Sequence, residues 1–180
     1  IMNNIEKSIK YFTKCIEFSN ELKLINDIFR NTLITDSILN KFKYYSYNNL
    51  GLIYLINIKN NEKAEFYLKE AADGEFPLGQ NTFGLFNQIY MNKIDDAEYY
   101  FNKASKKYNF SLSEFNLGFL REKENKIEES IELYKKASNN EDTQISFHKI
   151  KIYDKQLEIS KTFIICLANS TTRINFSFKQ

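Results

Sequence analysis

Apolar residues along this chain recur mostly at steps of three and four, the spacing that lines one face of an amphipathic helix. The pattern also repeats on a longer scale. Asn49-Leu50-Gly51 returns as Thr82-Phe83-Gly84 and as Asn116-Leu117-Gly118, so the glycines stand 33 and 34 residues apart. A small residue precedes each glycine by five places: Ser46, Gly79 and Ser113. Another follows it by thirteen, thirteen and twelve places, at Ala64, Ala97 and Ser130. Seven residues later come Ala71, Ala104 and Ala137, with the bulky pairs Tyr67-Leu68, Tyr100-Phe101 and Leu133-Tyr134 in between. Self-similarity at a fixed period of this length is the signature of a helical-repeat architecture.

Each copy reads as two helices, A and B, joined by a short polar turn. In the first full copy helix A carries Tyr47, Leu50, Tyr54 and Leu55, and helix B carries Ala64, Tyr67, Leu68 and Ala71. The turns are Lys59-Asn60-Asn61, Asn92-Lys93 and Glu124-Asn125, short enough to force antiparallel neighbours. A glycine inside a helix costs roughly 1 kcal/mol against alanine. Three of them at one register therefore point to a close approach of helix B. Asp73-Gly74 is a helix stop, and Pro77 suits the first turn of the next helix. The segment Asn4 to Cys15 overlays Lys126 to Ala137, so the chain opens on a helix B with no helix A before it, and on Ile1 rather than Met. The expectation is a fragment, or a chain with residues preceding these. Glu21 to Arg30 reads as an extra short helix capped by Asn20.

The expected organisation is one all-α domain over 1–169. It comprises a half repeat at 1–18, an insertion at 19–40, full repeats at about 42–74, 75–107 and 108–140, and a degenerate capping hairpin at 141–169. A tail at 170–180 follows, in which Ile174, Phe176 and Phe178 alternate with polar residues as a strand would. Four or five antiparallel hairpins are expected to stack in chain order. The apolar side of 5–15, with Ile5, Ile9 and Phe12, is expected to be covered by further residues, by the tail or by another copy, which makes self-association through an uncapped end one expectation.

Composition narrows the function classes. With 25 Lys+Arg against 23 Asp+Glu, the net charge is +2, and only three of the basic residues are Arg. No strong field draws such a chain to nucleic acid or to an acidic membrane surface. The 22 Asn and 22 Lys match A- and T-rich codons and are read as genome bias, not as a prion-like or sugar-binding tract. The Asn-x-Ser/Thr triplets at Asn109, Asn169 and Asn175 are read as chance, because no export leader accompanies them. The longest apolar run, Phe163 to Ala168, is far too short for a bilayer. The expected compartment is the cytoplasm.

Candidate chemistry is sparse. Cys15 and Cys166 cannot build a disulfide framework or a four-ligand zinc site, and Cys15 falls in the small-residue register of Ala71. His148 has no nearby partner for base or metal work. Asp95-Asp96 and Glu128-Glu129 each begin a helix B, where carboxylates favour the positive end of the helix dipole. Gly51, Gly84 and Gly118 are isolated, so no glycine-rich phosphate loop is present. No catalytic residue, metal or cofactor is expected, and the chain reads as a non-enzyme.

Leu50-Gly51-Leu52-Ile53-Tyr54, with Lys63-Ala64-Glu65-Phe66-Tyr67-Leu68-Lys69-Glu70-Ala71-Ala72-Asp73-Gly74, resembles the Sel-one-like repeat, a relative of the tetratricopeptide repeat. The likeness spans about 42–140. The paired glycines of the Sel-one-like turn are absent and the period is the shorter one, so the chain stands between the two families. The resemblance implies a right-handed α-solenoid of antiparallel hairpins that serves as a scaffold for protein complexes. In such stacks the A helices line the concave face. By spacing, the residues that point there are Asn48, Leu52, Leu55 and Ile56, then Asn81, Leu85, Gln88 and Ile89, then Phe115, Phe119 and Glu122. A stripe of apolar and amide groups suits an extended peptide or a partner helix. The same positions could instead be interior contacts between neighbouring A helices. Leu52, Leu85 and Phe119 stand where the chaperone-tail clamp of some tetratricopeptide proteins has Asn, so that function is not carried over. The expected function is a non-catalytic adaptor for a protein or peptide. The alternatives are a regulatory or targeting solenoid of a larger, enzymatic chain, and an RNA-reading helical repeat, against which the low charge argues.

Overall fold

The computed structural model of the chain describes residues 2–29 and 36–138. Among them the chain is all-helical: α1 (Met2–Phe29), α2 (Asp36–Leu52), α3 (Asn61–Asp73), α4 (Pro77–Ile89), α5 (Ile94–Tyr108), α6 (Ser111–Lys123) and α7 (Ile127–Ser138). The last turn and a half of the first A helix, Ile53–Ile58, widens to a π-helix. The capping hairpin at 141–169, the tail at 170–180, His148 and Cys166 lie outside the described residues. The chain divides into two compact units, Ile1–Phe83 and Gly84–Gln180.

One expectation changes at the start. The half repeat and the extra short helix are a single helix, α1, and Asn20 lies inside it rather than at a cap. Leu22, Leu24 and Ile25 carry the helical spacing through, and no Gly or Pro interrupts it. The stripe Ile5, Ile9, Phe12, Ile16 and Ser19 runs along one side of α1. Ile16 and Ser19 are buried, and α2 packs against the helix.

The unequal spacing of glycine to small residue has a structural cause in the A-to-B turns. In the two copies with the longer spacing the chain reverses through a wide loop, closed by Asn60 N–H to the Tyr54 carbonyl (2.9 Å) and by Lys93 N–H to the Asn87 carbonyl (2.9 Å). Each of these bonds spans six residues. In the third copy, one residue shorter, Lys126 N–H reaches the Arg121 carbonyl (2.9 Å) and Asn125 N–H the Glu122 carbonyl (3.0 Å), a Schellman closure. The extra residue is thus absorbed at the end of helix A, where the first copy widens into the π-turn. Each turn is made by a left-handed residue, Lys59, Asn92 or Asn125, and the B-to-A turns use Glu75 and Asn109 in the same way. Among the described residues no glycine has positive φ. Gly74 ends α3 with an ordinary φ because its lack of a side chain serves another need: the Tyr44 ring occupies the place of its Cβ.

The mid-helix glycines are seats for bulky side chains. A Cβ on Gly51 would lie 2.5 Å from Leu68, on Gly84 2.5 Å from Phe101, and on Gly118 2.7 Å from Tyr134. These three occupy one register of helix B. On α4 and α6 the seat is completed by the carbonyl of a small residue, Ala97 at 3.2 Å and Ser130 at 3.3 Å. The bulky residue of helix B therefore enters the glycine notch, while the small residue one turn earlier lets the backbones close. Gly79 is the corresponding notch between consecutive hairpins, with the Ala71 backbone 2.7 Å from its missing Cβ.

In the unit 1–83 the α2–α3 seam continues as a row of half-buried tyrosines. Tyr44 and Tyr47 have ring centroids 6.4 Å apart, Tyr47 and Tyr67 6.2 Å, and Tyr67 stacks on Tyr54 at 5.4 Å. Lysines close both ends: Lys43 lies 5.7 Å from the Tyr44 ring centroid and Lys63 5.1 Å from that of Tyr54. Burial pushes the Tyr47 and Tyr67 hydroxyls above their ordinary range, and the lysines meet the row at its ring faces.

Two pairs of substitutions test this packing. Gly84→Ala is expected to lower stability by about 1–3 kcal/mol, the reverse of the roughly 1 kcal/mol gain alanine brings to an unconstrained helix interior. Gly118→Ala should cost less, because Tyr134 is half-buried and its ring can yield where the fully buried Phe101 cannot. Lys59→Gly relieves a left-handed lysine (φ 60°) and should stabilise by about 1 kcal/mol, whereas Asn125→Gly should be near neutral, since Asn tolerates that region. Urea melts of the four variants read both effects. A more stable Gly84→Ala would show that the seat is not tight.

Candidate interaction surface

The predicted stripe divides by burial. In the unit 1–83, Asn48, Leu52, Leu55 and Asn81 are buried and Ile56 is half-buried in the π-turn. Asn48 has no hydrogen-bond partner for either side-chain atom. In the unit from Gly84 onward, Leu85 is buried, while Gln88, Ile89, Phe115, Phe119 and Glu122 are half-buried. Three of the latter are engaged on α6 and α7. Phe115 meets the Tyr134 ring at 5.2 Å, and the Tyr134 hydroxyl donates to Glu122 Oε2 at 2.7 Å. Lys123 Nζ stands 5.4 Å from the Phe119 ring centroid. The structure therefore brings Phe115 and Glu122 together on the seam of their own hairpin, through the same tyrosine that fills the Gly118 seat. Burial and the neighbouring Glu122 carboxylate push the Tyr134 hydroxyl above its ordinary range. The positions of the stripe that keep open surface are Ile56 in the first unit, and Gln88, Ile89 and Phe119 in the second.

Two polar clusters hold the second unit and were not singled out by spacing. Glu114 is fully buried on α6. Its Oε1 takes Lys136 Nζ at 2.6 Å and the Ser105 hydroxyl at 3.3 Å, while Oε2 has no partner. Gln80 occupies the same register one repeat earlier and reaches the Ala72 carbonyl at 3.4 Å, so both side chains face the helix B before them. The signal available in the sequence was this shared polar register beside Gly79 and Ser113. The second cluster is built on Arg121. Its guanidinium forks onto Glu98 of α5, with Nη1 to Oε2 at 3.2 Å and Nη2 to Oε1, and also meets Glu124 at 3.1 Å and Glu129 at 3.3 Å. A planar fork matches a carboxylate in a way a lysine ammonium cannot. The hydrogen bonds from Arg121 hold the Glu98 carboxyl below the usual carboxylate range against the opposing effect of partial burial.

The acidic pairs take the places expected of them. Asp95 and Asp96 lie exposed in the first turn of α5, and Glu128 and Glu129 in the first turn of α7. Cys15 is a half-buried free thiol on α1. Among the described residues no cluster of His, Cys, Asp and Glu could hold a metal ion, and no helix is long and apolar enough to cross a membrane. The half-buried positions of the stripe carry aromatic, amide, aliphatic and carboxylate side chains.

Comparison with known families agrees with this architecture at one hairpin. A tetratricopeptide-repeat model matches residues 44–73, which run from Tyr44 on α2 to the end of α3. That hairpin is tetratricopeptide-like. No curated protein and no solved structure is significantly similar to the chain.

The Arg121 cluster gives a pH test. A carboxylate whose folded pKa is depressed stabilises the fold at every pH above its unfolded value, and loses that contribution as pH falls through the folded one. Glu98→Gln should therefore cost about 1 kcal/mol near neutrality. Its penalty should shrink as pH drops below the ordinary glutamate value of about 4.3 and vanish once Glu98 is protonated. Parent and variant melting temperatures, measured across pH 3 to 7, should converge at the acid end (a range of about four units).

Proposed function

We propose that the chain is a protein-binding scaffold of the cytoplasm: a right-handed superhelix of hairpins about 33 residues long, standing between the Sel-one-like and tetratricopeptide families, that holds a peptide or partner protein on the concave face of its A helices. The observation that supports this reading is the tetratricopeptide match over 44–73, since repeats of that class generally mediate protein–protein contact. Burial sharpens the contact set. Asn48, Leu52, Asn81 and Leu85 are enclosed and act by holding the A helices in place. In the unit from Gly84 onward, Gln88 and Phe119 retain surface and are the contact residues, Phe119 as an aromatic anchor and Gln88 as an amide for a peptide backbone. Phe115 and Glu122 set the edge of this surface through Tyr134.

Few charges lie on this set, so binding should depend weakly on salt, whereas RNA binding would weaken steeply. The test is affinity capture with the parent chain and with Gln88→Ala/Phe119→Asp, at low and high salt, with and without nuclease. The expected outcome is a defined set of proteins held at both salts and with nuclease, and lost on the double variant, whose circular dichroism matches the parent. Partners that persist on the variant, or vanish with nuclease, would end this reading.

A further inference from the structure

Helix α1 is apolar on two sides. One side, with Ile16 and Ser19 buried, belongs to α2. The other is formed by Ser8, Tyr11, Cys15, Phe18, Leu22 and Ile25, which follow one another at alternating steps of three and four. That is the seam of a heptad, with Ser8, Cys15 and Leu22 at one core position and Tyr11, Phe18 and Ile25 at the other. Among the described residues the second core position stays open, with Tyr11 68% exposed, Phe18 59% and Ile25 44%, while Ser8, Cys15 and Leu22 are half-buried. Cys15 Sγ lies 4.0 Å from the carbonyl of Phe42 on α2, whose side chain is also exposed (54%). Large aromatic side chains in one contiguous exposed stripe mark an association surface and not scattered surface apolarity.

We propose that this stripe pairs with its counterpart on a second copy of the chain, as an antiparallel two-helix seam about a two-fold axis. Two features of α1 favour this occupant. The first is size. An antiparallel register sets each residue of one core position against the other position of the partner helix: Cys15 against the second copy's Phe18, Leu22 against its Tyr11, and Ser8 against its Ile25. Each layer then joins a small or medium side chain to a large one, and the two-fold axis repeats each layer. A parallel pairing would set Phe18 against Phe18 and Ser8 against Ser8. The second feature is charge. The exposed flank of the seam carries Lys14 and Glu21. In the antiparallel register each Lys14 stands beside the Glu21 of the other helix, giving two symmetric ion pairs, whereas a parallel register would place the flank beside Phe12 and Ser19 and pair neither charge.

The test uses the full chain in sedimentation equilibrium over a range of concentrations. A reversible dimer is expected. Phe18→Glu, at an exposed site, should abolish it without changing helicity. Lys14→Glu alone should weaken dimerisation roughly tenfold, and Lys14→Glu/Glu21→Lys should restore it, because the swap regenerates both pairs. Phe18→Cys with Cys166→Ser should oxidise to a covalent dimer in which the introduced thiol of one copy is joined to Cys15 of the other, established by peptide mapping. A parent chain that stays monomeric at every concentration would overturn the proposal. A dimer insensitive to Phe18→Glu would place the interface elsewhere and overturn it as well. Cross-links joining Cys15 to Cys15 would refute the antiparallel register.

Discussion

The close crossing of paired helices at a glycine is the constraint on which the rest of the structure depends. Leu68, Phe101 and Tyr134 each need a notch in the facing helix, and only a residue without Cβ provides one. The seated side chain fixes how closely helices A and B approach, and on α4 and α6 the neighbouring small residue brings its carbonyl to contact distance. The length of the A-to-B turn then follows from how far helix A runs past the crossing. The copies with one extra residue absorb it in a wider closure, and the third closes as a Schellman motif. Glycine is consumed by these seats and by Gly74 and Gly79, which leaves the left-handed turn positions to lysine, glutamate and asparagine.

Polar groups stabilise the crossings in an uneven way. The first unit joins α2 to α3 through stacked tyrosines ending in lysines. The second joins α5 to α6 through the Arg121–Glu98 fork, and α6 to α7 through Lys136 on the enclosed Glu114. A buried carboxylate is costly unless paired, and Lys136 of α7 and Ser105 of α5 supply that pairing at one oxygen of Glu114.

Burial also separates positions that a helical wheel treats alike. Leu52 and Phe119 share a register, one place beyond the glycine, yet Leu52 is enclosed and Phe119 is half-open. The same holds for Asn48 and Phe115, of which the first is enclosed and the second leans on Tyr134. Equivalent sequence positions meet different neighbours because each helix along an array has its own flanking helices.

The sequence by itself determined the paired helices of the three glycine copies, the place of the glycine seats and the helix opened by Pro77, because these rest on short-range spacing and on the steric demands of single residues. It also held the one-residue difference between copies, though not its backbone form. Tertiary structure alone decided which face of each helix meets solvent, since burial depends on neighbours far along the chain. It decided that α1 runs unbroken past Asn20, whose capping tendency yields to a helix that carries its apolar spacing through to Ile25. It also decided that Glu98, Arg121, Glu124 and Glu129 converge, and that Tyr134 joins Gly118, Phe115 and Glu122. Side chains reach these partners across a turn or a second helix, and no local pattern records where such reaches end.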